Sequence, residues 1–389
     1  MKIAIVLWEL NIKGGTQRQA LELALNLKKM NYEVDIFCYY YNPNNCYKEI
    51  CEQFDIKSVS TEKTKKETRL QRIMDIFFLN KETKKFKQLI SQKGGRYDVI
   101  NLHDCNDLVL PAKYLKHKNI IWMMNDIPGQ FFIDKIQLFK KTLYFINQII
   151  LKRISKKVKK IVVLDHRVKS ILKNKYKINA TIIRSGININ MYSQLNKNYN
   201  KDFYQEKLKI FCSGIFFRHR RFEDVIVALS ILKKEQNNIN ISLTINGNNQ
   251  KDFSYYNFIK HLIIKNQLQD IITITHGLTE ENLKNKYLES HIFIFPNHNQ
   301  TWGLSVFEAC LAQCACIVSK TSGAHEVLTD NHNAILIKPK SPIDIAKNIK
   351  KMNNDREFMK KIANNGLKFV LNNLSWEKYT KDMLKIYKN

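Results

Sequence analysis

The feature that most constrains this chain is an alternation of short β-branched runs with helix-length amphipathic segments, which occurs in two successive sets. Strands joined by helices pair in parallel, because each helix carries the chain back across the sheet. Each set therefore predicts one doubly wound α/β domain. The strands of the first set are predicted at Ile3 to Trp8, Val34 to Tyr40, Asp98 to Leu102, Ile120 to Met124, Ile161 to Leu164 and Thr181 to Ile183. Those of the second set are predicted at Lys209 to Ser213, Ile241 to Ile245, Ile271 to Thr275, Ile292 to Phe295, Ala315 to Val318 and Ala334 to Ile337.

The length of 389 residues also favours two domains, since single hydrophobic cores stop growing at about 250–300 residues. We predict a first domain at residues 1–187 and a second at 207–370. The stretch 188–206 is rich in Asn, Lys and Tyr, has neither period, and is interpreted as a linker. Residues 371–389 are predicted to form a C-terminal helix that packs back toward the first domain.

The net charge narrows the choice of partners. Lys and Arg number 64 and Asp and Glu 35, which gives +29. Such an excess indicates an anionic partner, such as nucleic acid, a membrane surface or a phosphorylated small molecule, unless it reflects an AT-rich codon bias. We expect no nucleic-acid partner, because no RNA- or DNA-binding motif accompanies the charge. The 44% hydrophobic and 25% charged content excludes a disordered or fibrous protein.

Two basic segments make an anionic membrane surface a candidate partner. Lys140 to Lys160 holds eight Lys or Arg and no acid, and Lys63 to Lys93 is a second basic stretch. The alternative is a solvated helix face. The eight cysteines are scattered and no apolar run of membrane-spanning length occurs. We expect free thiols and a cytoplasmic protein, peripheral on the inner face of the cytoplasmic membrane if the basic segments bind lipid.

A glycine pair at the first strand-to-helix turn is a candidate ligand site. Gly14 and Gly15 follow the strand and precede an amphipathic helix. Glycine lets a ligand approach the backbone, and the start of a helix favours an anion. The alternative is a plain turn.

A stronger candidate site follows the strand Ile292 to Phe295. Gln300 falls in the loop after this strand, and Glu308 lies eight positions later, inside the helix that Gly303 opens. The carboxylate can accept hydrogen bonds from paired hydroxyls such as those of a ribose, and the amides of Trp302 to Leu304 can hold a phosphate. The alternative for Glu308 is a solvated helix carboxylate.

Together, these motifs resemble those of glycosyltransferase family four, the glycosyl transferase group 1 type. Gln300 and Glu308 stand where the family has two glutamates eight positions apart. Other motifs follow in the same order as in the family: Lys13 to Arg18, Arg184 to Asn188, Phe211 to Gly214, Ser322 to Glu326 and Ser375 to Glu377. The likeness runs from Lys2 to Tyr387.

The resemblance implies a GT-B fold, with two Rossmann-like domains that face each other across a cleft. It implies a retaining transferase whose donor is a nucleoside-diphosphate sugar, with UDP or GDP expected. The acceptor would be a cell-surface glycan or a lipid-linked glycan, in polysaccharide biosynthesis. No metal or other cofactor is expected, because basic side chains and helix ends neutralise the departing diphosphate. The implied donor-binding residues are Gly15, Gly214, Arg218, Arg220, Arg221, Gln300, Trp302, Gly303, Leu304 and Glu308.

The chain departs from the family pattern at three positions. Ile215 stands where the family has an arginine, whereas Arg220 stands at the family's following basic position, and Arg218 and Arg221 are expected to replace the missing cation. The alternative is a solvated basic loop before the next helix. Gln300 is neutral where the family has a carboxylate, so it can bind a sugar hydroxyl but carries no charge.

The third departure is Asn125, which stands where the family often has a histidine and is followed by Asp126. Asp126 can orient or deprotonate the acceptor hydroxyl, or simply cap a turn. We predict catalytic roles for Asp126, Asn125, Arg220 and Gln300, and acceptor binding by His103, Asp104, Asn125 and Asp126. Two alternatives stay open, a non-catalytic nucleotide-sugar-binding partner and a nucleotide-sugar epimerase on the same fold.

Overall fold

The computed structural model describes residues 1–61, 85–86, 88–90, 97–103, 117–127, 140–192, 201–235, 240–249 and 252–388. The chain divides into two compact units. The first comprises Met1–Gly186 with Trp376–Asn389, and the second comprises Ile187–Ser375. Each unit is built on a parallel sheet with helices, so the predicted fold class is confirmed.

The strands are β1 (Lys2–Leu10), β2 (Glu33–Tyr41), β3 (Ile56–Ser60), β4 (Val99–His103), β5 (Ile120–Met124), β6 (Lys160–Val163), β7 (Thr181–Ile182), β8 (Leu208–Ser213), β9 (Ile241–Asn246), β10 (Ile272–Thr275), β11 (Ile292–Phe295), β12 (Ala315–Ser319) and β13 (Ile335–Ile337). Every predicted strand is present, with ends displaced by at most two residues. The strand β3 was not predicted. It is an edge strand of five half-buried residues, so it lacks the buried apolar run that marks the others.

The helices are α1 (Gly15–Lys29), α2 (Lys48–Cys51), α3 (Lys140–Ser155), α4 (His166–Ile171), α5 (Phe222–Glu235), α6 (Phe253–Lys265), α7 (Glu280–Glu289), α8 (Leu304–Leu311), α9 (Pro342–Asn354), α10 (Arg356–Asn373) and α11 (Trp376–Lys388). None of the helices within these described ranges is both long enough and apolar enough to cross a membrane.

The two sheets share the same order over six strands, and the first has a seventh strand, β7, at its edge. The first is β3-β2-β1-β4-β5-β6-β7 and the second is β10-β9-β8-β11-β12-β13, with parallel pairing throughout. The direction of winding therefore reverses between β1 and β4 and again between β8 and β11. In open α/β sheets, ligands bind outside the carboxyl ends of the strands at such a reversal.

Each unit has its own apolar core. In the first, Trp122 of β5 is buried together with Leu151 and Ile154 of α3. On α11, the Tyr387 hydroxyl accepts a 2.6 Å hydrogen bond from Asn101 of β4, so this last helix is part of the first unit. The seven described cysteines are buried and free; Cys105 lies outside the described residues.

The stretch predicted as a linker contains a buried cation. Residues 193–200 lie outside the described residues, and the part from Lys201 onward belongs to the second unit. The Lys201 ammonium group is buried and donates to the carbonyl oxygens of Tyr287 and Ser290 at the end of α7. A lysine is well suited to this position, because the last carbonyls of a helix lack partners within it.

A close backbone contact fixes the carboxyl end of β8 against β9. The Gly214 amide donates to the Asn246 carbonyl at 2.9 Å, and a Cβ at Gly247 would lie 2.0 Å from the Gly214 carbonyl oxygen. Only glycine fits there, because any side chain would push this backbone aside.

We predict that Gly247→Ala lowers the free energy of unfolding by about 3 kcal/mol, because the added methyl group overlaps backbone that cannot yield cheaply. Gly277→Ala is the control. It adds the same methyl group where no atom lies within 4 Å, at a φ of +61°, and should cost about 1 kcal/mol of backbone strain. Denaturant unfolding measures both, and equal losses would contradict the close contact.

Candidate active site

The loops after β8, β11 and β12 are tied together by their backbones. The His298 amide donates to the His219 carbonyl at 2.7 Å, and the Gly323 amide donates to the Gln300 carbonyl at 2.9 Å. These hydrogen bonds bring the residues that follow three neighbouring strands into one fixed rim at the carboxyl edge of the second sheet.

The start of α8 depends on Gly303. Its φ is +89°, and a Cβ there would lie 2.9 Å from the Phe295 ring, so only glycine satisfies both constraints. The Trp302 side chain is buried against Phe307, with ring centroids 4.7 Å apart. Trp302 is therefore placed to offer its backbone, rather than its indole, to a ligand. In the described structure no side chain caps the helix, whose first-turn amides begin at Leu304.

Glu308 lies in the second turn of α8 and is half-buried. It accepts a 3.2 Å hydrogen bond from the hydroxyl of Tyr287, a buried residue of α7. Burial first, and then the Glu308 charge, raise the pKa of Tyr287 well above its usual value, so the hydroxyl stays protonated and donates. No motif in the sequence marks Tyr287. Its position follows only from the packing of α7 beside α8.

Gln300 is placed by its backbone. It forms a parallel bridge with Ser322, and its side chain is half-buried. The predicted loop position is therefore part of the rim, eight residues before Glu308.

The Arg220 guanidinium lies beside the Gly214 backbone. A Cβ at Gly214 would lie 3.1 Å from Arg220 Nε, so a side chain there would crowd the guanidinium. When the Asn297 amide is turned to satisfy its neighbours, its oxygen accepts from Arg220 Nη1 at 2.7 Å. The Nε atom is buried and has no partner among the described residues. Burial lowers the pKa of Arg220 to about 10, which leaves it charged at neutral pH.

The two neighbouring arginines differ in their partners. Arg221 pairs with Glu223 at 2.7 Å and with Asp224 at 2.6 Å, both in the first turn of α5. Arg218 is exposed and has no carboxylate partner within the ranges that the structure describes. The charge of Arg221 is thus largely compensated, whereas that of Arg218 faces solvent.

The first unit places Asn125 beside the glycine turn. Gly15 begins α1, and Asn125 Nδ2 donates to Thr16 Oγ1 in the same turn at 3.0 Å. Asp126 lies 3.8 Å from Arg167 at the start of α4. Burial raises the pKa of Asp126 to about 7, opposed by Arg167 and reinforced by Asp165. A carboxylate that titrates near neutral pH can take up and release a proton under ordinary conditions.

His103, a predicted acceptor-binding residue, is at the carboxyl end of β4 and is fully buried. Neither ring nitrogen has a hydrogen-bond partner in the described part of the chain. Burial lowers the pKa of His103 to about 3, so the ring is neutral. Asp104 lies outside the described residues.

The family models match nearly the whole chain. Residues 13–190 match Glycosyltransferase Family 4, and residues 194–369 match Glycosyl transferases group 1. The chain belongs to this glycosyltransferase family. The resemblance inferred from the motifs is confirmed.

Three relatives illustrate the match. An uncharacterised glycosyltransferase of Methanocaldococcus jannaschii is 24% identical, over 100% of this chain and 98% of its own. The structure of Anabaena HepE in complex with UDP and glucose shares 13% identity at a TM-score of 0.76, with 100% of both chains covered. The structure of WaaG, a glycosyltransferase involved in lipopolysaccharide biosynthesis, shares 14% identity at a TM-score of 0.73, also over 100% of both chains. The two structures show that the fold is the one these glycosyltransferases share.

In this glycosyltransferase the predicted donor residues lie at the carboxyl edge of the second sheet, except for Gly15, which is in the first unit. Asn125 and Asp126 lie at the carboxyl end of β5 in the first unit. In the described ranges, no three or more His, Cys, Asp or Glu side chains come together in a way that could hold a metal ion. Sequence reasoning missed Tyr287, Asn297 and Arg167, whose signal lies in contacts between elements rather than in any motif.

We predict that Asp126 titrates near pH 7 and that Arg167→Gln raises its pKa further, because the arginine favours the charged carboxylate. Carboxyl ¹³C shifts in selectively labelled protein measure both. The unfolded chain ionises this group near 3.8. Wild-type stability relative to Asp126→Asn should therefore fall as the pH rises from that value to about 7. A midpoint at the ordinary value in both proteins would contradict the buried environment.

Proposed function

We propose that the chain is a retaining glycosyltransferase that moves a sugar from a nucleoside-diphosphate donor to a hydroxyl group of a growing cell-surface glycan. The observation that carries this proposal is the grouping of Arg220, the start of α8 and Glu308 on one rim of the second unit. A cation, free helix amides and a carboxylate match the diphosphate and ribose of such a donor. The likeness to Anabaena HepE, seen with UDP and glucose, and to WaaG of lipopolysaccharide biosynthesis supports this choice.

The diphosphate is assigned to Arg220, Arg218 and the α8 amides. As the bond from the sugar to the phosphate breaks, negative charge grows on the leaving group, and cations fixed beforehand stabilise that charge most in the transition state. Arg220 is the best placed, because its Nε is buried and has no hydrogen-bond partner among the described residues. Arg221 is already paired with Glu223 and Asp224, so we assign it to holding the start of α5. With this arrangement the reaction needs no bound metal.

The ribose is assigned to Glu308, whose orientation Tyr287 fixes. A carboxylate accepts from both hydroxyls of a vicinal pair, and the hydrogen bond from Tyr287 limits its rotation before the donor arrives. Gln300 can bind a hydroxyl of the transferred sugar from the loop.

The acceptor hydroxyl is assigned to Asp126, with Asn125 orienting the glycine turn beside it. A base with a pKa of about 7 is partly ionised at neutral pH and can accept the hydroxyl proton.

A panel of UDP-, GDP- and ADP-sugars, compared by thermal stabilisation, would identify the donor. Retention is then tested by the anomeric configuration of the product, and an inverted product would contradict the proposed mechanism.

We predict that Glu308→Ala weakens binding of the identified nucleotide by at least ~100-fold, because it removes charge-assisted hydrogen bonds worth about 1.5–3 kcal/mol each. Tyr287→Phe keeps the carboxylate but frees it to rotate, and should cost about tenfold. The matched control is Glu289→Ala, since Glu289 is an exposed residue of α7 that pairs with a surface lysine, Lys286, among the described residues. Calorimetry measures all three affinities, and unchanged binding by Glu308→Ala would refute the assigned site.

We predict that Arg220→Gln lowers turnover by about 10²–10³-fold, as expected when one fixed positive group is removed from the leaving-group site. Arg220→Lys restores a charge but not the planar fork and should recover part of the rate. Release of free nucleoside diphosphate measures turnover, and circular dichroism verifies folding. A normal rate for Arg220→Gln would exclude this residue from the site.

If the wild type binds the nucleotide sugar but releases no diphosphate with any glycan acceptor, the chain is a non-catalytic binding partner.

A further inference from the structure

We propose that the first unit binds the surface of an anionic lipid bilayer through the outer face of α3 and a basic pocket at the end of that helix. This surface is separate from every residue assigned to donor or acceptor. It is defined by Phe145, Ile149 and Arg153 on α3, Lys156 and Lys157 directly after it, and the pocket lysines Lys159, Lys160 and Lys177.

The first observation is an exposed apolar pair on α3. Phe145 is 62% exposed and Ile149 is 36% exposed, and they lie four residues apart on one side of the helix. Leu151 and Ile154, on the opposite side, are buried in the core with Trp122. An aromatic and a branched side chain held outward together can insert among lipid headgroups and the first acyl carbons.

The second observation is charge of one sign around this pair. Arg153, Lys156 and Lys157 are exposed, and residues 140–160 contain no acid. None of these three side chains has a carboxylate partner in the part of the chain that the structure describes. Their charge is available to anionic headgroups, and each lysine or arginine near such a surface contributes about 1 kcal/mol of attraction.

The third observation is a cavity of about 360 Å³ between the turn after α3 and the segment leading into β7. It is lined by Lys159, Lys160 and Lys177, together with the polar residues Asn179 and Thr181. Gln148 of α3 donates to the Lys175 carbonyl at 2.7 Å, which holds the two walls together. A cavity of this size that is lined by three lysines suits one phosphate-bearing headgroup.

A bilayer fits these observations better than a nucleic acid does. Electrostatic binding to a phosphate backbone accounts for the lysines but not for an exposed phenylalanine and isoleucine on the same helix face. A bilayer accounts for both, since its surface offers phosphates and apolar chains at neighbouring depths. The pocket lies at the amino ends of β6 and β7, at the edge of the sheet opposite to Asn125 and Asp126. Binding at this edge would leave the residues at the carboxyl edge accessible to substrates.

Sedimentation of the full-length chain with phosphatidylcholine vesicles, with and without phosphatidylglycerol, at low salt tests the proposal. The wild type should sediment with the anionic vesicles only. Lys159→Gln/Lys160→Gln/Lys177→Gln should weaken this binding about 100-fold, since each lysine is worth about 1 kcal/mol and 1.4 kcal/mol is tenfold. Phe145→Ser/Ile149→Ser should weaken it by tenfold or more.

The matched controls lie in the second unit. Lys347→Gln/Lys361→Gln/Lys368→Gln removes the same charge from exposed positions on α9 and α10, and Ile264→Ser/Ile343→Ser removes two exposed isoleucines, one on α6 and one on α9. Both controls should bind vesicles with an affinity within about threefold of the wild type. This is a smaller loss of affinity than the removal of one lysine contact would cause. Equal losses in the controls and in the α3 variants would overturn the proposal, because net charge alone would then explain binding. The proposal would also be overturned if the wild type did not sediment with the anionic vesicles. It would be overturned as well if the wild type bound a single-stranded oligonucleotide at about 0.15 M salt and the variant with the three pocket lysines replaced did not.

Discussion

The parallel pairing of β8 with β11 is the constraint on which the candidate site depends. Phe211 pairs with Phe293, so the two strands end together although some eighty residues separate them in sequence. This places the Gly214 turn with Arg220 beside the loop that leads to Gly303 and Glu308. The close contact of Gly247 with the Gly214 carbonyl fixes the first of these loops, and the positive φ of Gly303 fixes the second. Two glycines therefore determine where a cation and a carboxylate stand relative to each other. The first sheet repeats the same strand order, which brings the glycine turn after β1 to Asn125 after β5.

Behind the rim, a buried polar group holds the helix that orients Glu308. Lys201 binds the carbonyl oxygens of Tyr287 and Ser290, and the Cys314 thiol donates to the same two oxygens at 3.0 and 3.3 Å. Burial lowers the pKa of Lys201, while the neighbouring Cys314 acts in the opposite direction. At the end of α7, the carbonyl oxygens of Tyr287 and Ser290 thus each accept hydrogen bonds from both Lys201 and Cys314. Because a buried carbonyl without a donor costs about 1–3 kcal/mol, this turn has little freedom to move. The orientation of Glu308 consequently rests on a residue from a segment that looks like a polar linker.

The elements that the sequence predicts well are those whose signal is local. Buried strands such as Ile120–Met124 and Ile292–Phe295 appear as apolar runs, and Gly303 marks a helix start. The edge strand Ile56–Ser60 is half-buried and polar enough to lack that signal. Within the site, motif spacing located Gln300, Arg220 and Glu308, because the chain fixes the distance between a strand end and the helix that follows. It could not reveal that Arg221 pairs with the first turn of α5, or that His103 is fully buried, because both depend on neighbours distant from any motif.

The excess positive charge is distributed between two physical environments. Arg220 is half-buried, and its Nε lies buried beside backbone and an amide, where a charge interacts strongly because little water screens it. The lysines around α3 are exposed, where each is weak and screened by salt, and where only a partner carrying many negative charges would gain from them. One arginine with a buried Nε is therefore suited to a small leaving group that must be held in one geometry. A row of exposed lysines is suited to an extended surface that needs no fixed geometry. The same side-chain chemistry thus supports two kinds of recognition in this chain, and local burial decides between them.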